Sequence, residues 1–205
     1  MRLQFTGDTV TWQPAAKPKA LKLYVYVDNS NLFIEGQRLS AVRKGYASDI
    51  YDAQYRNVFD YGWNVDYGKL HTFLSGQGGT LTSVKLWGSI PPSDPFWKMV
   101  ESKGFEVTTF MRGVSGQEKK VDVAIAHQLT KDVYSGIITK EDSRIILVAG
   151  DKDFVPVIED LVAGGHNVHI AFWNHAAREL KESASFFMNL DGQLDSLKNG
   201  GPRPR

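Results

Sequence analysis

Two apolar runs that end abruptly in carboxylates constrain the fold of this chain most strongly. Residues 23–27 (Leu-Tyr-Val-Tyr-Val) lead directly into Asp28, and residues 145–149 (Ile-Ile-Leu-Val-Ala) lead into Gly150 and Asp151. Such runs are typical of parallel strands that are covered on both faces of a sheet. Ligands of these sheets bind beyond the carboxyl ends of the strands. If both runs belong to one sheet, we expect their acids to meet at one edge.

The rest of the chain predicts strands that alternate with helices. Further strands are predicted over 81–87, 105–111 and 168–172, and helices over 31–43, 66–74, 93–103, 121–134 and 154–163. Asn174 is predicted to cap a final helix that runs to about Ser185. This alternation predicts an α/β fold with a mostly parallel sheet sandwiched by helices.

The composition and the breaks suggest one main domain. Residues 1–20 are expected to form an N-terminal arm or edge hairpin and a linker, since Pro14 and Pro18 disfavour helix before them. Residues 21–190 are expected to form the domain. Within it, the tyrosine-rich segment 45–65 is expected to be an irregular insertion, a partly helical lid or a surface loop whose aromatic residues pack locally. Residues 191–205 are expected to form a flexible tail with a cationic end.

Charge and cysteine content exclude several classes of function. The formal net charge is +1, so no global basic field indicates nucleic-acid binding, although a local basic patch is compatible with it. The absence of cysteine excludes disulfides, thiolate nucleophiles and cysteine-ligated zinc. No apolar stretch approaches the ~20 residues that span a membrane, and no signal-type core is present. We therefore expect a cytoplasmic protein without a membrane partner.

Four aspartates are candidates for one metal site. Asp28, Asp151 and Asp153 follow the two apolar runs, and Asp122 lies on the apolar face of a predicted helix. A carboxylate that faces a core is costly unless it is paired or bound to metal, and carboxylate oxygens suit Mg²⁺ or Mn²⁺.

Each acid also has a simpler interpretation. Asp153 could only cap the helix that follows it, and Asp122 could pair with Lys119 or Lys120. The joint occurrence of the four acids favours a site.

Neighbouring polar residues are candidates for substrate binding. Asn29, Ser30 and Asn31 could orient water or phosphate oxygens, or close a local turn. Four cations could hold a phosphodiester backbone at the rim, although each alone is more often a solvated charge. They are Lys120, Lys152, Arg178 and Lys181. The histidines at 127, 166, 169 and 175 show no paired metal spacing and are interpreted as structural or surface residues.

Three segments carry the four acids. They are residues 27–36 (Val-Asp-Asn-Ser-Asn-Leu-Phe-Ile-Glu-Gly), 119–124 (Lys-Lys-Val-Asp-Val-Ala) and 150–156 (Gly-Asp-Lys-Asp-Phe-Val-Pro). Together they resemble the NYN domain of the PIN-like nuclease superfamily. The resemblance covers residues 21–190 and implies a Rossmann-like (PIN-like) three-layer fold. It also implies a Mg²⁺- or Mn²⁺-dependent ribonuclease, a hydrolase. In that interpretation Asp28, Asp122, Asp151 and Asp153 are the metal ligands and catalytic acids, and Asn31 assists.

The sequence departs from the family at two places. Relatives often carry an Ala-Asp-x-Phe pattern late in the chain, where Ser185 stands here, and some carry an acid where this chain has His127 and Gln128. These departures leave four acids and put a complete two-metal site in question.

The leading hypothesis is an endoribonuclease that hydrolyses single-stranded RNA to 5′-phosphate products. Unpaired bases would stack on aromatic side chains, with Tyr46, Tyr51, Tyr55, Tyr61 and Trp63 as candidates. The alternative is a non-catalytic NYN-like module that binds RNA or protein. A phosphatase of the haloacid dehalogenase type is disfavoured, because Ser30 occupies the place of its second aspartate. The sequence leaves a homodimer open.

Overall fold

The computed structural model describes residues 2–6, 9–13, 20–90, 94–111 and 118–200. Residues 2–6, 9–13, 90, 111, 118 and 119 are described by their backbone alone. The first residue of the helix predicted over 93–103 and the cationic end at 201–205 lie outside the described residues.

The described residues form eight strands and seven helices. The strands are β1 (Arg2–Thr6), β2 (Thr9–Gln13), β3 (Lys22–Asp28), β4 (Thr80–Ile90), β5 (Glu106–Met111), β6 (Ser143–Val148), β7 (Asn167–Phe172) and β8 (Phe186–Asn189). The helices are α1 (Asn29–Arg43), α2 (Ile50–Tyr55), α3 (Tyr67–Ser75), α4 (Asp94–Glu101), α5 (Glu118–Tyr134), α6 (Val155–Ala163) and α7 (Arg178–Ser183). Short 3₁₀ turns cover Lys152–Phe154 and Asp191–Gln193.

Six strands form one parallel sheet in the order β5-β4-β3-β6-β7-β8. With the helices it gives the predicted three-layer α/β fold. The central strands β3 and β6 are adjacent, with Val27 opposite Val148, and both are almost wholly buried. This burial explains the two apolar runs. Because the chain continues from β3 to β4 on one side and from β6 to β7 on the other, the strand order reverses between β3 and β6. Such a switch point is where an open α/β sheet binds ligands.

The prediction for the end of the sheet was wrong in two respects. Strand β8 follows β7 and was not predicted, because its apolar stretch at 186–188 (Phe-Phe-Met) is only three residues long and the strand is an exposed to half-buried edge strand. Helix α7 begins at Arg178 after an Ala177 that makes no side-chain cap. Asn174 therefore does not cap it, and the Asn174 backbone N–H instead donates to Asp191 Oδ1 at 2.8 Å.

Segment 45–65 packs against α1. It contains α2, and the Asp60 carboxylate accepts a hydrogen bond from Ser40 Oγ at 2.7 Å and pairs with Lys44 Nζ at 2.7 Å. Trp63 is buried against Trp173 and donates its indole N–H to the Leu194 carbonyl at 3.0 Å. The segment is therefore a partly helical, integral part of the domain.

Both flanks of the domain contain ordered structure. β1 and β2 form an antiparallel hairpin in a sheet of their own. Residues 191–199, expected to lie in a flexible tail, bury Leu194 and Leu197, and the Leu197 carbonyl accepts the Asp66 N–H at 2.8 Å. Within the described residues, no helix combines the length and apolarity needed to cross a bilayer.

Candidate metal centre and nucleic-acid cleft

Asp28 lies at the carboxyl end of the central strand β3. It is buried, and its Oδ1 accepts the backbone N–H of Asn31 at 3.0 Å, so Asp28 also caps α1. A carboxylate suits this position because the first N–H groups of a helix lack partners within the helix. The strand end and the cap together fix the carboxylate at the switch point.

Asn31 joins the ends of the two central strands. Its Oδ1 accepts the backbone N–H of Gly150 at 2.8 Å, directly after β6. Gly150 is required there, because a Cβ at this position would lie 2.2 Å from Cε1 of Phe172. This contact holds the loop that carries Asp151 against the start of α1.

Asp151 and Asp153 belong to a 3₁₀ turn that precedes α6. Asp151 caps this turn, and its Oδ1 accepts the Asp153 N–H at 3.0 Å. The N-cap position of α6 is Phe154, which makes no side-chain cap. The interpretation of Asp153 as a simple helix cap therefore does not describe this structure, because Asp153 lies inside the 3₁₀ turn and Phe154 occupies the N-cap position of α6.

Helix α5 brings Asp122 to the same place. One carboxylate oxygen from each of Asp122, Asp151 and Asp153 lies within 4.8 Å of the others. Asp28 adjoins this group and shares a hydrogen bond with Asp122 when one of the two is protonated. The structure thus brings together the four acids that the sequence selected.

Two of the acids, Asp28 and Asp122, have raised pKa values. Burial raises the pKa of Asp28 to about 6, although the hydrogen bond from the Asn31 N–H lowers it. Repulsion from Asp151 also raises this pKa. Burial, followed by repulsion from Asp28, Asp151 and Asp153, raises the pKa of Asp122 to about 7. A lysine paired with Asp122 would lower this pKa. Such closely spaced carboxylates have the donor chemistry and the excess negative charge that suit a divalent cation.

The acids line two connected depressions. One is a cleft of about 290 Å³ whose walls include Asp28, Ser30, Asn31, Asp122 and Asp151. The other is a more open groove of about 580 Å³ that shares Asp122 and continues along a partly apolar wall. Its lining includes Val123, Ala126, Lys152, Asp153, Val155 and Pro156. The predicted substrate residues Ser30, Asn31 and Lys152 thus lie beside the acids.

The comparisons with known proteins identify the family. A profile described as the NYN domain matches residues 22–191. The chain belongs to the NYN domain family. This membership places it in a nuclease-like superfamily, and the acidic cluster is compatible with metal binding.

A solved structure has a similar fold. This chain is similar to a protein of unknown function, VPA0982 from Vibrio parahaemolyticus, with a TM-score of 0.59 and 19% identity. The similarity covers 86% of this chain and 96% of the other and concerns the fold alone. The search of curated proteins found no match.

The other predicted substrate-binding residues of the NYN domain do not line the cleft or the open groove. Asn29 is buried and accepts the Tyr67 hydroxyl at 2.6 Å, so its side chain has a structural contact. Lys120 lines a third hollow that shares Val123 with the open groove but contains none of the four acids. Arg178 donates to Glu182 at 2.7 Å, and Lys181 donates to the Asn174 carbonyl at 2.9 Å.

Sequence reasoning missed two residues of the cleft wall and a third residue that contacts one of them. Glu35 and Arg38 line the cleft. The Oε2 atom of Glu35 also lies 2.8 Å from His175 Nε2. Their helical spacing after Asp28, seven and ten positions, places them on the same face of α1 and could have indicated them. His175 is distant in sequence, and its role depends on tertiary structure.

The Ser185 departure does not affect the cleft. Ser185 lies beside Val168, where its N–H donates to the Val168 carbonyl at 2.8 Å and its Oγ accepts the Val168 N–H at 3.1 Å. Val168 is near the start of the parallel strand β7, so this position is at the edge of the sheet opposite the acids. Gln128 donates to the buried Asp132, which also pairs with Lys85 away from the cluster.

Proposed function

We propose that this NYN domain is a Mg²⁺- or Mn²⁺-dependent endoribonuclease that hydrolyses phosphodiester bonds of single-stranded RNA. The observation that supports it is the grouping of Asp122, Asp151 and Asp153 within 4.8 Å, beside the buried Asp28, at the switch point. Family membership in a nuclease-like superfamily agrees with this chemistry.

The donor set fits a hard divalent cation. Asp122, Asp151 and Asp153, together with the adjoining Asp28, would hold the ion through carboxylate oxygens. When bound, such a cation supplies Lewis-acid activation of water and neutralises charge on the scissile phosphate. The raised pKa values of Asp28 and Asp122 reflect burial first and then repulsion from neighbouring acids, and the cation would relieve that repulsion.

The neighbouring residues would position the RNA. Because Asn31 Oδ1 is engaged by Gly150, the Asn31 amide N–H₂ group is the donor left for a phosphate oxygen or water in the cleft. Ser30 would add a hydroxyl, and Lys152 would reduce the repulsion of phosphates in the adjoining groove.

Exposed tyrosines could stack unpaired bases beyond the cleft. Tyr51 and Tyr55 lie one turn apart on α2 and are 75% and 88% exposed, and Tyr46 and Tyr61 are exposed as well. Trp63 was wrongly included in this set, because it is buried against Trp173 and unavailable to a base.

The test is RNA cleavage by the wild-type protein and two variants. Labelled single-stranded RNA is incubated with Mn²⁺, Mg²⁺ or EDTA and analysed on denaturing gels. We expect cleavage that requires the metal and is lost in Asp151→Asn. Asp160→Asn on α6, an exposed acid remote from the cluster in the fold, should cleave normally.

Two results would contradict the proposal. Full activity of a folded Asp151→Asn protein would remove that acid from the site. Metal-independent RNA binding without turnover would instead favour the non-catalytic module.

A further inference from the structure

We infer that Arg38 forms a phosphate-binding subsite inside the acidic cleft, where it holds an RNA phosphate next to the bond that is cleaved. The inference rests on the proposed function and assigns a substrate contact to a residue outside the aspartate cluster.

Arg38 is in the right place for this task. It lines the same cleft as Asp28, Asp122 and Asp151, and it is the one cation among the described residues of that lining. A phosphate that approaches a wall of carboxylates is repelled unless a cation offsets their charge. Arginine suits this role because its planar guanidinium matches the geometry of phosphate oxygens.

The guanidinium of Arg38 is held in position before any ligand binds. One of its terminal nitrogens donates to Glu35 Oε1, and its Cζ lies 5.0 Å from the ring centroid of Phe59. The side chain is 18% exposed, so it is packed along its length and still reaches the cleft. A preorganised side chain loses less conformational entropy when it binds a ligand.

Glu35 is itself fixed from two further sides. Its Oε2 accepts Gln54 Nε2 at 3.1 Å and contacts His175 Nε2 at 2.8 Å. Burial alone would raise the pKa of Glu35, but the contacts with His175, Arg38 and Gln54 lower it, so the carboxylate stays ionised. Since Gln54 belongs to α2, segment 45–65 helps to build this subsite.

Arg38 has donor capacity that its protein contacts do not use. Its buried Nε has no hydrogen-bond partner among the described residues, and Glu35 engages one of the two terminal nitrogens. A buried donor without a partner is unfavourable, and the Nε–H and the second terminal nitrogen form an edge that can bind an oxyanion through two hydrogen bonds. A phosphate in the cleft would satisfy both groups.

The test measures RNA binding, so it does not depend on turnover. A short fluorescein-labelled oligouridine is titrated by anisotropy at several salt concentrations, with Ca²⁺ in place of Mn²⁺ to suppress hydrolysis. Arg38→Gln should raise Kd by roughly tenfold or more, as expected for a charged hydrogen-bonding partner. The slope of log affinity against log salt should become shallower by about 0.7, the value for one phosphate contact on a single strand.

Two further variants separate binding from folding. Arg38→Lys keeps the charge and should keep the salt slope, but it should bind more weakly because it lacks the planar fork. Arg43→Gln removes an arginine from the far end of α1, where it pairs with Asp195, and should leave Kd and slope unchanged. Thermal melting and Mn²⁺ affinity close to wild type would show that the Arg38 variants retain the fold and the acidic cluster.

The outcomes distinguish this inference from the proposed function. A folded Arg38→Gln protein with wild-type Kd and salt slope would overturn the subsite while leaving metal-dependent cleavage intact. Arg38-dependent binding without cleavage would support the subsite and contradict the ribonuclease. A wild-type protein that neither binds nor cleaves RNA would contradict both.

Discussion

The side-chain oxygen of Asn31 accepts the backbone N–H of Gly150 at 2.8 Å, although 119 positions separate the two residues. The Asn31 backbone N–H also donates to Asp28 at 3.0 Å. One residue therefore connects the aspartate that ends β3 with the loop that carries Asp151. This contact sets the separation of the acids at the switch point.

Loss of this contact should weaken both the fold and the acidic site. We expect Asn31→Ala to lower the free energy of unfolding by about 1–2 kcal/mol, because the partly buried Gly150 N–H loses its partner. Mn²⁺ affinity should fall as well. Chemical denaturation and calorimetry measure the two effects. Asn174→Ala, at an exposed side chain, is the control, and equal behaviour of the two variants would contradict this role.

Neutralising Asp122 should stabilise the metal-free protein at pH 8. The folded-state pKa of about 7 lies above the ordinary value, so ionisation opposes folding and the penalty grows as pH rises towards and through 7. After allowance for partial exposure, we expect Asp122→Asn to gain about 1–2 kcal/mol at pH 8. Near pH 4 the gain should disappear. Denaturation at both pH values tests this, with Asp160→Asn as the unaffected control.

The affinity for Mn²⁺ should increase with pH and then level off. Metal ligands must be ionised, and the pKa values of about 6 for Asp28 and about 7 for Asp122 leave both partly protonated in mild acid. We expect binding at pH 5.5 to be roughly tenfold or more weaker than at pH 8. Calorimetry in two buffers of different ionisation enthalpy should also detect proton release. An affinity that is constant over this range would exclude these acids as ligands.

A methyl group at Gly36 should destabilise the domain. A Cβ there would lie 2.4 Å from Cζ3 of Trp63, and this ring also packs against Trp173. We expect Gly36→Ala to cost about 1–3 kcal/mol, the usual range for overpacking. Gly192→Ala is the matched control, because a Cβ at that position meets no atom within 4 Å. Similar melting temperatures for the two variants would show that segment 45–65 can shift to make room for the methyl group at little cost in stability.

Removal of two exposed tyrosines should weaken RNA binding without changing its salt dependence. Tyr51→Ser combined with Tyr55→Ser removes two stacking surfaces from α2, each worth about 1–3 kcal/mol if a base lies on it. The salt slope should stay as in wild type, because no charge is lost, whereas Arg38→Gln should change it. The same anisotropy assay measures both quantities. Unchanged affinity would mean that the RNA does not cross α2.

Much of the fold could be predicted because its signals are local. The apolar runs at 23–27 and 145–149 are buried central strands, and the α/β alternation around them predicts the parallel sheet. The signal of β8 was weaker, because its apolar stretch at 186–188 is only three residues long. Asn174 resembled a cap in sequence, but its backbone pairs with Asp191 and the helix begins later.

The candidate site also combines features that could be predicted from the sequence with features that could not. The sequence by itself determined the acid types and their places after strands, because parallel strands bring their carboxyl ends to one edge. Only the tertiary structure decided that Asn29 faces Tyr67, that Trp63 is buried and that Ser185 lies at the opposite edge. It also brought His175 and Gln54 to Glu35, and so fixed Arg38 in the cleft. Side-chain direction and long-range contacts depend on how the layers pack, and no local pattern encodes them.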